Sequence, residues 1–420
     1  MSDPRGPRAW LRRHAVDTTP LRVSADFRRL FMGRSVSNFG DEIVAVVIPF
    51  QVYALTGSTL AVGLLGLVEL VPVLVFPIVG GAFADALERR RLAIVTHLLL
   101  AGLSALMAVN ALRPEPLVWP LYAFAFLSAG LITFNRPTLD TWPARLLDLE
   151  LLPSAGALDA GFGTFAGMVG PVVAGLLLAA IEPAGAFFFD AATFLVVIAA
   201  LLRMRPSPPA EDRPELGLRA IAEGFRFLRG RRVVQSVFAI DLIAMIFGFP
   251  VALFPAIARD RLGGGPEVLG FLHAALAAGA FAATMLSGSA RRVHRQGRAI
   301  LIAVVIWGGA IVVFGLTGSL WVALAMLAVA GAGDMVSGIF RTTILRSAVE
   351  DRLRGRLDGI GMAVWATGPS VGNLESGLVA SLVSVPFAVA SGGVATVVGA
   401  LALAALAPAF WRYDARAPQA

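Results

Sequence analysis

Twelve times along this chain an apolar stretch recurs that approaches or exceeds 20 residues, the length an α-helix needs to cross a bilayer. The stretches lie near 28–55, 60–84, 90–111, 117–138, 155–181, 185–203, 233–257, 267–289, 299–316, 320–345, 359–383 and 386–410. Of the 420 residues, 57% are hydrophobic and 15% are charged, against about 25% charged in soluble domains. So few charges cannot cover that much apolar surface in water. The pattern predicts an all-α integral membrane protein with twelve transmembrane helices. Pro72 and Pro77 interrupt the second stretch, which membrane helices tolerate because neighbours satisfy the freed backbone groups.

Arginine sets the expected orientation. With the N-terminus in the cytoplasm and the loops alternating, 32 of 35 arginines fall on the cytoplasmic side, leaving Arg113, Arg259 and Arg261 outside. This positive-inside split places both termini in the cytoplasm of a bacterium, with the protein multi-pass in its inner (plasma) membrane. The polar tail 1–27 precedes an apolar stretch too long for a signal-peptide core, so that stretch is expected to remain as the first span. The net charge of +7 then belongs to the lipid surface, and no nucleic acid partner is expected. The chain has no cysteine and four histidines, so neither a metal site nor a cofactor is expected. There is no G-x-x-x-x-G-K-[ST] loop and no lysine at all, which argues against ATP-driven transport. No nucleophile stands beside a base, so no enzyme is expected.

The longest loop, 204–232, divides the spans six and six. It opens on Arg205-Pro206-Ser207-Pro208-Pro209 and closes on 218–232. There Ile221, Phe225 and Leu228 share one face, predicting a helix that lies on the membrane surface. The halves 28–203 and 233–410 carry internal matches, and a short tail, 411–420, follows them. Val62-Gly63 matches Leu269-Gly270 at an offset of 207, as Gly81 and Asp85 match Gly288 and Arg292. Gly170 to Ala174 match Gly368 to Gly372 at an offset of 198. One duplication of a six-span unit predicts two pseudo-symmetric six-helix halves about a central site. Gly156, Ala160, Gly163, Gly167, Gly170 and Ala174 form a small-residue stripe, and Gly361, Trp365, Gly368 and Gly372 form a second. Both suit close helix packing in lipid.

The stretch 81–91 reads GAFADALERRR. Gly81, Asp85, Arg89 and Arg90 on this cytoplasmic loop resemble the signature of the major facilitator superfamily. Ala86 and Glu88 replace the usual basic residue and glycine. Gly167, Gly170, Pro171 and Gly175 resemble that superfamily's antiporter motif, with Ala166 and Ala174 where glycines are usual. Arg113-Pro114-Glu115-Pro116, Gly224-Phe225-Arg226-Phe227-Leu228, Phe254-Pro255-Ala256, Gly270-Phe271-Leu272 and Leu353-Arg354-Gly355-Arg356 resemble its enterobactin-exporter branch. The resemblance implies the major facilitator fold, a monomer, an Asp85–arginine latch, and export of siderophore-like or drug-like cargo.

Ionisable groups inside spans cost roughly 2.5–3.5 kcal/mol on insertion scales, so each needs a partner, water or a task. Arg34, Asn38 and Asp41 share one face of the first span, with Glu42 about 100° away. Glu69 lies in the second span, Arg136 and Asp140 end the fourth, and Asp190 lies in the sixth. Asp241 is in the seventh, Asp334 and Arg341 in the tenth, and Glu375 in the eleventh. A coupling carboxylate must exchange a proton near neutral pH, and burial and a nearby arginine act on it in opposite senses. Asp41, Glu42 and Glu69 are the candidates, and Arg136 resembles in position an arginine that some superfamily antiporters use. Each also admits a reading as a fixed structural pair. Asp140, Asp159 and Arg346 read as interfacial anchors, and Asp190 as a cap between packed spans.

Arg34, Asn38, Gln51, Asn135, Asp241, Asp334, Arg341, Trp365 and Asn373 are candidates for the cargo cavity, beside Phe50, Tyr53, Phe134, Phe247 and Phe249. Such a weakly polar, aromatic lining suits a small amphipathic organic substrate and not a sugar. The expectation is a secondary active, proton-coupled exporter. The alternatives are an importer of a small nutrient on the same fold and a transport-dead membrane sensor.

Overall fold

The computed structural model describes residues 17–86, 88–206, 230–288, 293–347 and 351–416, without the side chains of 77–86 and 351–359. The surface helix expected over 218–232 lies almost wholly outside the described residues, as do Arg292 and the side chains of Gly81, Asp85, Arg354 and Arg356. All regular structure among the described residues is helical.

The long helices, in chain order, are α1 (Ala25–Thr56), α2 (Thr59–Ala86), α3 (Arg89–Ala111), α4 (Trp119–Thr141) and α5 (Leu152–Leu202). They continue with α6 (Arg232–Phe247), α7 (Pro266–Met285), α8 (Gln296–Leu316), α9 (Leu320–Ser347), α10 (Asp351–Leu382) and α11 (Val385–Leu406). Among the described residues, nine helical stretches are long and apolar enough to cross a membrane. The helices α4 and α10 are equally long but more polar. The former ends on Asn135, Arg136 and Asp140, and the latter opens with Asp351, Arg352, Arg354, Arg356 and Asp358.

Local chemistry explains the ends. Ser24 caps α1 by accepting the Phe27 N–H at 3.1 Å, satisfying one orphan donor of the first turn. Gly57 ends the same helix at φ 61° with its N–H on Tyr53 O, a left-handed conformation that glycine adopts without a Cβ penalty. Ser384 caps α11 in the same way as Ser24 caps α1.

Two spans are interrupted. Those expected at 155–181 and 185–203 run on from one another as the two arms of α5, parted where expected, at Ile181 (φ −133°, ψ 15°) and Glu182 (φ 57°, ψ 174°), which are not helical. Pro183 follows, and proline pushes the residue before it out of the α region. The span expected as continuous over 233–257 stops at Gly248 and resumes as a 3₁₀ turn, Val251–Leu253, then Phe254–Ala256 and a π turn, Ile257–Arg261. Pro250 lacks an N–H. Side chains satisfy the backbone freed at this break. Trp307 Nε1 donates to Gly248 O at 2.9 Å, and Ala252 N–H donates to Asn373 Oδ1 at 3.3 Å.

Ile43, Val47, Trp307, Phe314 and Leu327 are fully buried, while Leu98, Leu106, Trp321 and Leu406 are exposed, as lipid-facing positions are. Nothing in lipid drives apolar helix faces together, so close approach rests on small residues. A Cβ on Gly63 would lie 2.5 Å from Asn373 O, and one on Gly377 would lie 2.6 Å from Thr59 O. These contacts hold α2 against α10. Cβ atoms on Gly175 and Gly270 would each lie 2.6 Å from a carbonyl oxygen, of Pro266 and Pro171 respectively, so α5 meets α7 as closely. Thr59 Oγ1 also donates to Gly377 O at 3.0 Å. Both seams lie at the end of the bundle where α1 stops and α2 and α7 start.

Gly63→Ala or Gly270→Ala is therefore expected to destabilise the protein by about 1–3 kcal/mol, the usual cost of overpacking. Gly102→Ala and Gly309→Ala, whose Cβ would meet nothing within 4 Å, are expected to be near neutral. Thermal unfolding in detergent compares the two sets, and equal losses in both would refute the seam assignment.

Candidate transport site

Asp41 stands where two cavities meet. The first, about 280 Å³, lies between α1, α2, α4, α5 and the broken segment at 251–255, with Leu269 and His273 of α7 and Asn373 of α10 completing it. Its walls are mainly apolar, and its acids are Asp41, Glu69 and Asp190. No arginine is among the described residues that line it. The second cavity, about 260 Å³, is polar and holds Arg34, Asn38, His97, Asn135, Arg136 and Asp140. Asp41, Leu100, Ile132 and Phe194 border both.

Helical periodicity places Arg34, Asn38 and Asp41 on one face, and all three line the second cavity. Glu42, one step round the helix, is turned elsewhere. It packs against α5, where a Cβ on Gly170 would lie 2.6 Å from Glu42 Cβ, and it lines neither cavity. The glycine motif thus serves two surfaces: Gly167 and Gly170 face Glu42 of α1, and Gly175 faces α7.

Asp190 joins Asp41 and Glu69 instead. It is 1% exposed, and its Oδ2 accepts a 2.5 Å hydrogen bond from Ser104 Oγ of α3. The bare Cα of Gly40 leaves it room, since a Cβ there would lie 2.6 Å from Asp190 Oδ1. The sequence signal was an acid inside an apolar stretch. Its partner is 86 residues away, beyond the reach of local pattern.

Towards the far ends of α1 and α4 the charges pair. Arg34 reaches Asp140 at 3.2 Å and Asp159 at 3.8 Å, and Arg136 reaches Asp140 at 3.4 Å. Between α6 and α9, Arg341 holds Asp241 at 2.5 Å and Asp334 at 3.5 Å. Arg34 and Asp241 are 207 positions apart, and Asp140 and Arg341 are 201 apart. These separations are close to the 207 and 198 of the sequence matches, with the charges exchanged.

Of the other expected cavity residues, Asn135 and Asn373 line a cavity. Gln51, Trp365, Asp241, Asp334 and Arg341 line neither of the two; Gln51 is buried in α1, and Trp365 is 59% exposed. Phe50 and Tyr53 border a third cavity, about 240 Å³, with Ala258 and Arg259. The Tyr53 hydroxyl donates to Asp260 there, tying α1 to the π turn. Of the loop arginines, Arg89 is buried and Arg90 donates to Leu202 O at 3.1 Å, joining α3 to the end of α5.

Residues 15–418 match the model of a family described as transmembrane secretion effectors. The chain is 28% identical over 400 residues to the enterobactin exporter EntS of Shigella boydii serotype 18, covering 95% of each chain. It is likewise 28% identical over 403 residues to EntS of Escherichia coli strain UTI89, again covering 95% of each. Among solved structures, the nucleoside transporter NupG superposes with a TM-score of 0.68 at 13% identity, covering 91% of this chain and 98% of that one. A bacterial homologue of the human lysosomal transporter Spinster gives 0.69 at 17% identity, covering 92% and 96%. The fold is shared with both.

Arg341→Gln is expected to cost about 3–5 kcal/mol, because it leaves two partly buried carboxylates without their cation. Adding Asp241→Asn should recover part of that loss by removing one orphaned charge. Thermal unfolding of the single and double variants tests this, and a double variant no more stable than the single would count against the ion cluster.

Proposed function

We propose, on the premise that the chain belongs to the transmembrane secretion effector family of the major facilitator superfamily, that it exports amphipathic organic compounds by proton-coupled alternating access. Siderophore-like compounds lead the candidates, because the relatives named above are enterobactin exporters. The single observation that carries the coupled reading is the first cavity. It brings three carboxylates into an apolar space reached by helices from both ends of the chain, with no arginine in its described lining. A buried carboxylate without a countercharge can exchange a proton for its charge as access changes.

In this reading the twelve spans are the nine apolar stretches, with α5 counted as two arms, together with α4 and α10. They form two six-helix halves, 28–203 and 233–410, joined by the cytoplasmic linker 204–232. The repeat-related ion clusters and the paired seams, Gly63 with α10 and Gly270 with α5, support that division. The arginine split supports cytoplasmic termini. The end sealed by the glycine seams and by Tyr53–Asp260 is then the outer one, and the conformation is inward-facing. Rocking about the central site would open those seams, exposing the cavity to the outside. The carboxylates take up a proton there as the cargo leaves, and release it inward when the next cargo molecule binds. The protein works as a monomer in this scheme, with cargo, protons and lipid as its partners.

Transport into inverted membrane vesicles tests the scheme, using enterobactin and lipophilic dyes under an imposed pH gradient. Uptake of at least one compound should depend on the gradient. Asp41→Asn and Glu69→Gln should lower it by about tenfold or more, while Glu42→Gln, outside the cavities, should lower it less. Uptake indifferent to an uncoupler would overturn proton coupling. Uptake confined to right-side-out vesicles would favour the importer.

A further inference from the structure

Asp190 has no place among the residues expected to couple, yet its surroundings are those of a working carboxylate. Its Oδ2 is held by Ser104, while its Oδ1 is buried and has no hydrogen-bond partner among the described residues. The nearby Thr193 hydroxyl is turned to the Asp190 carbonyl at 2.7 Å and not to the carboxylate. The free oxygen lies against Gly40, next in sequence to Asp41, and both aspartates line the first cavity.

We propose that Asp41 and Asp190 form one proton-binding pair, with Ser104 positioning Asp190, and that the pair takes up and releases a single proton as a unit. This rests on the proton-coupled reading above. Two bare carboxylates side by side in an apolar cavity repel strongly, and one shared proton relieves the repulsion. Other titratable groups act on the pair: Glu69 from α2, His97 from α3, Arg136 from α4 and His273 from α7, with Arg34 and the neighbouring Glu42 on Asp41's own helix. The arginines line the second cavity and are occupied with Asp140 and Asp159. Ser104 is the one described donor to the Asp190 carboxylate, which fixes one oxygen and leaves the other for the proton. Gly40 makes the geometry possible, because any side chain there would occupy the space of Oδ1.

The test follows the carboxyl C=O stretch of the purified full-length protein in liposomes by infrared spectroscopy across pH. Asp41→Asn and Asp190→Asn are expected to abolish the same band component, and the double variant to lose nothing further. Ser104→Ala, a milder change that preserves packing, should shift that component's frequency and its titration midpoint. Two components lost separately, or a component that survives Asp190→Asn, would overturn the pair. Gradient-driven uptake of enterobactin, as probe, should fall about tenfold or more in each single variant and no further in the double one. Wild-type uptake in Asp190→Asn beside a dead Asp41→Asn would overturn the pair alone. Wild-type protein that ignores the gradient would sink the coupling reading together with it.

Discussion

A charge carried into the membrane must be matched by an opposite charge or by a proton, and the two kinds of matching divide this structure. Where α1 meets α4, and again where α6 meets α9, arginine does the matching. Those charges can stay ionised and hold helices together. In the first cavity the described lining offers no such cation to Asp41, Glu69 and Asp190. The same residue chemistry thus serves as mortar towards one end and as a site near the centre. What separates the two roles is the placement of a few guanidinium groups.

The exchanged polarity of the two clusters bears on how such a bundle arises. A pair can swap donor for acceptor without moving either backbone, provided both members change. Arg34 with Asp140 and Asp241 with Arg341 fit that constraint. The glycines are stricter. At Gly63 and Gly270 a carbonyl oxygen from the facing helix lies where a side chain would begin.

The membrane-spanning stretches were legible in the sequence, because apolar length is a local property. So was the face that carries Arg34, Asn38 and Asp41, since helical periodicity fixes it without tertiary information. The seams were half legible: the small-residue stripe in α5 was plain, but which helix it met was not. The break after Phe247 was missed because the segment's hydropathy is uniform across it, and only Pro250 hinted at it. Asp190 was visible, but its surroundings were not. A lone acid in an apolar stretch gives no sign of whether it caps packing or faces a cavity; that depends on Ser104 and Gly40, contributed by two other helices. Conversely, Glu42 is adjacent to Asp41 in sequence but packs against α5 at Gly170 and lines neither cavity.

Where Asp41 sits joins these threads. It borders both cavities, so one carboxylate adjoins the uncompensated acids on one side and the arginine-bearing space on the other. A modest rotation of α1 would change which environment dominates, and because Arg34 shares that face it would act on the Asp140 and Asp159 pairs at the same time. The helix is suited to such a movement. Its end is tied to the π turn by the Tyr53–Asp260 hydrogen bond, while Gly33 and Gly40 lie flush against the second arm of α5. In the proposed cycle, the energy that drives rocking therefore comes from the changing electrostatic surroundings of Asp41 and its neighbours, and the seams set only the path.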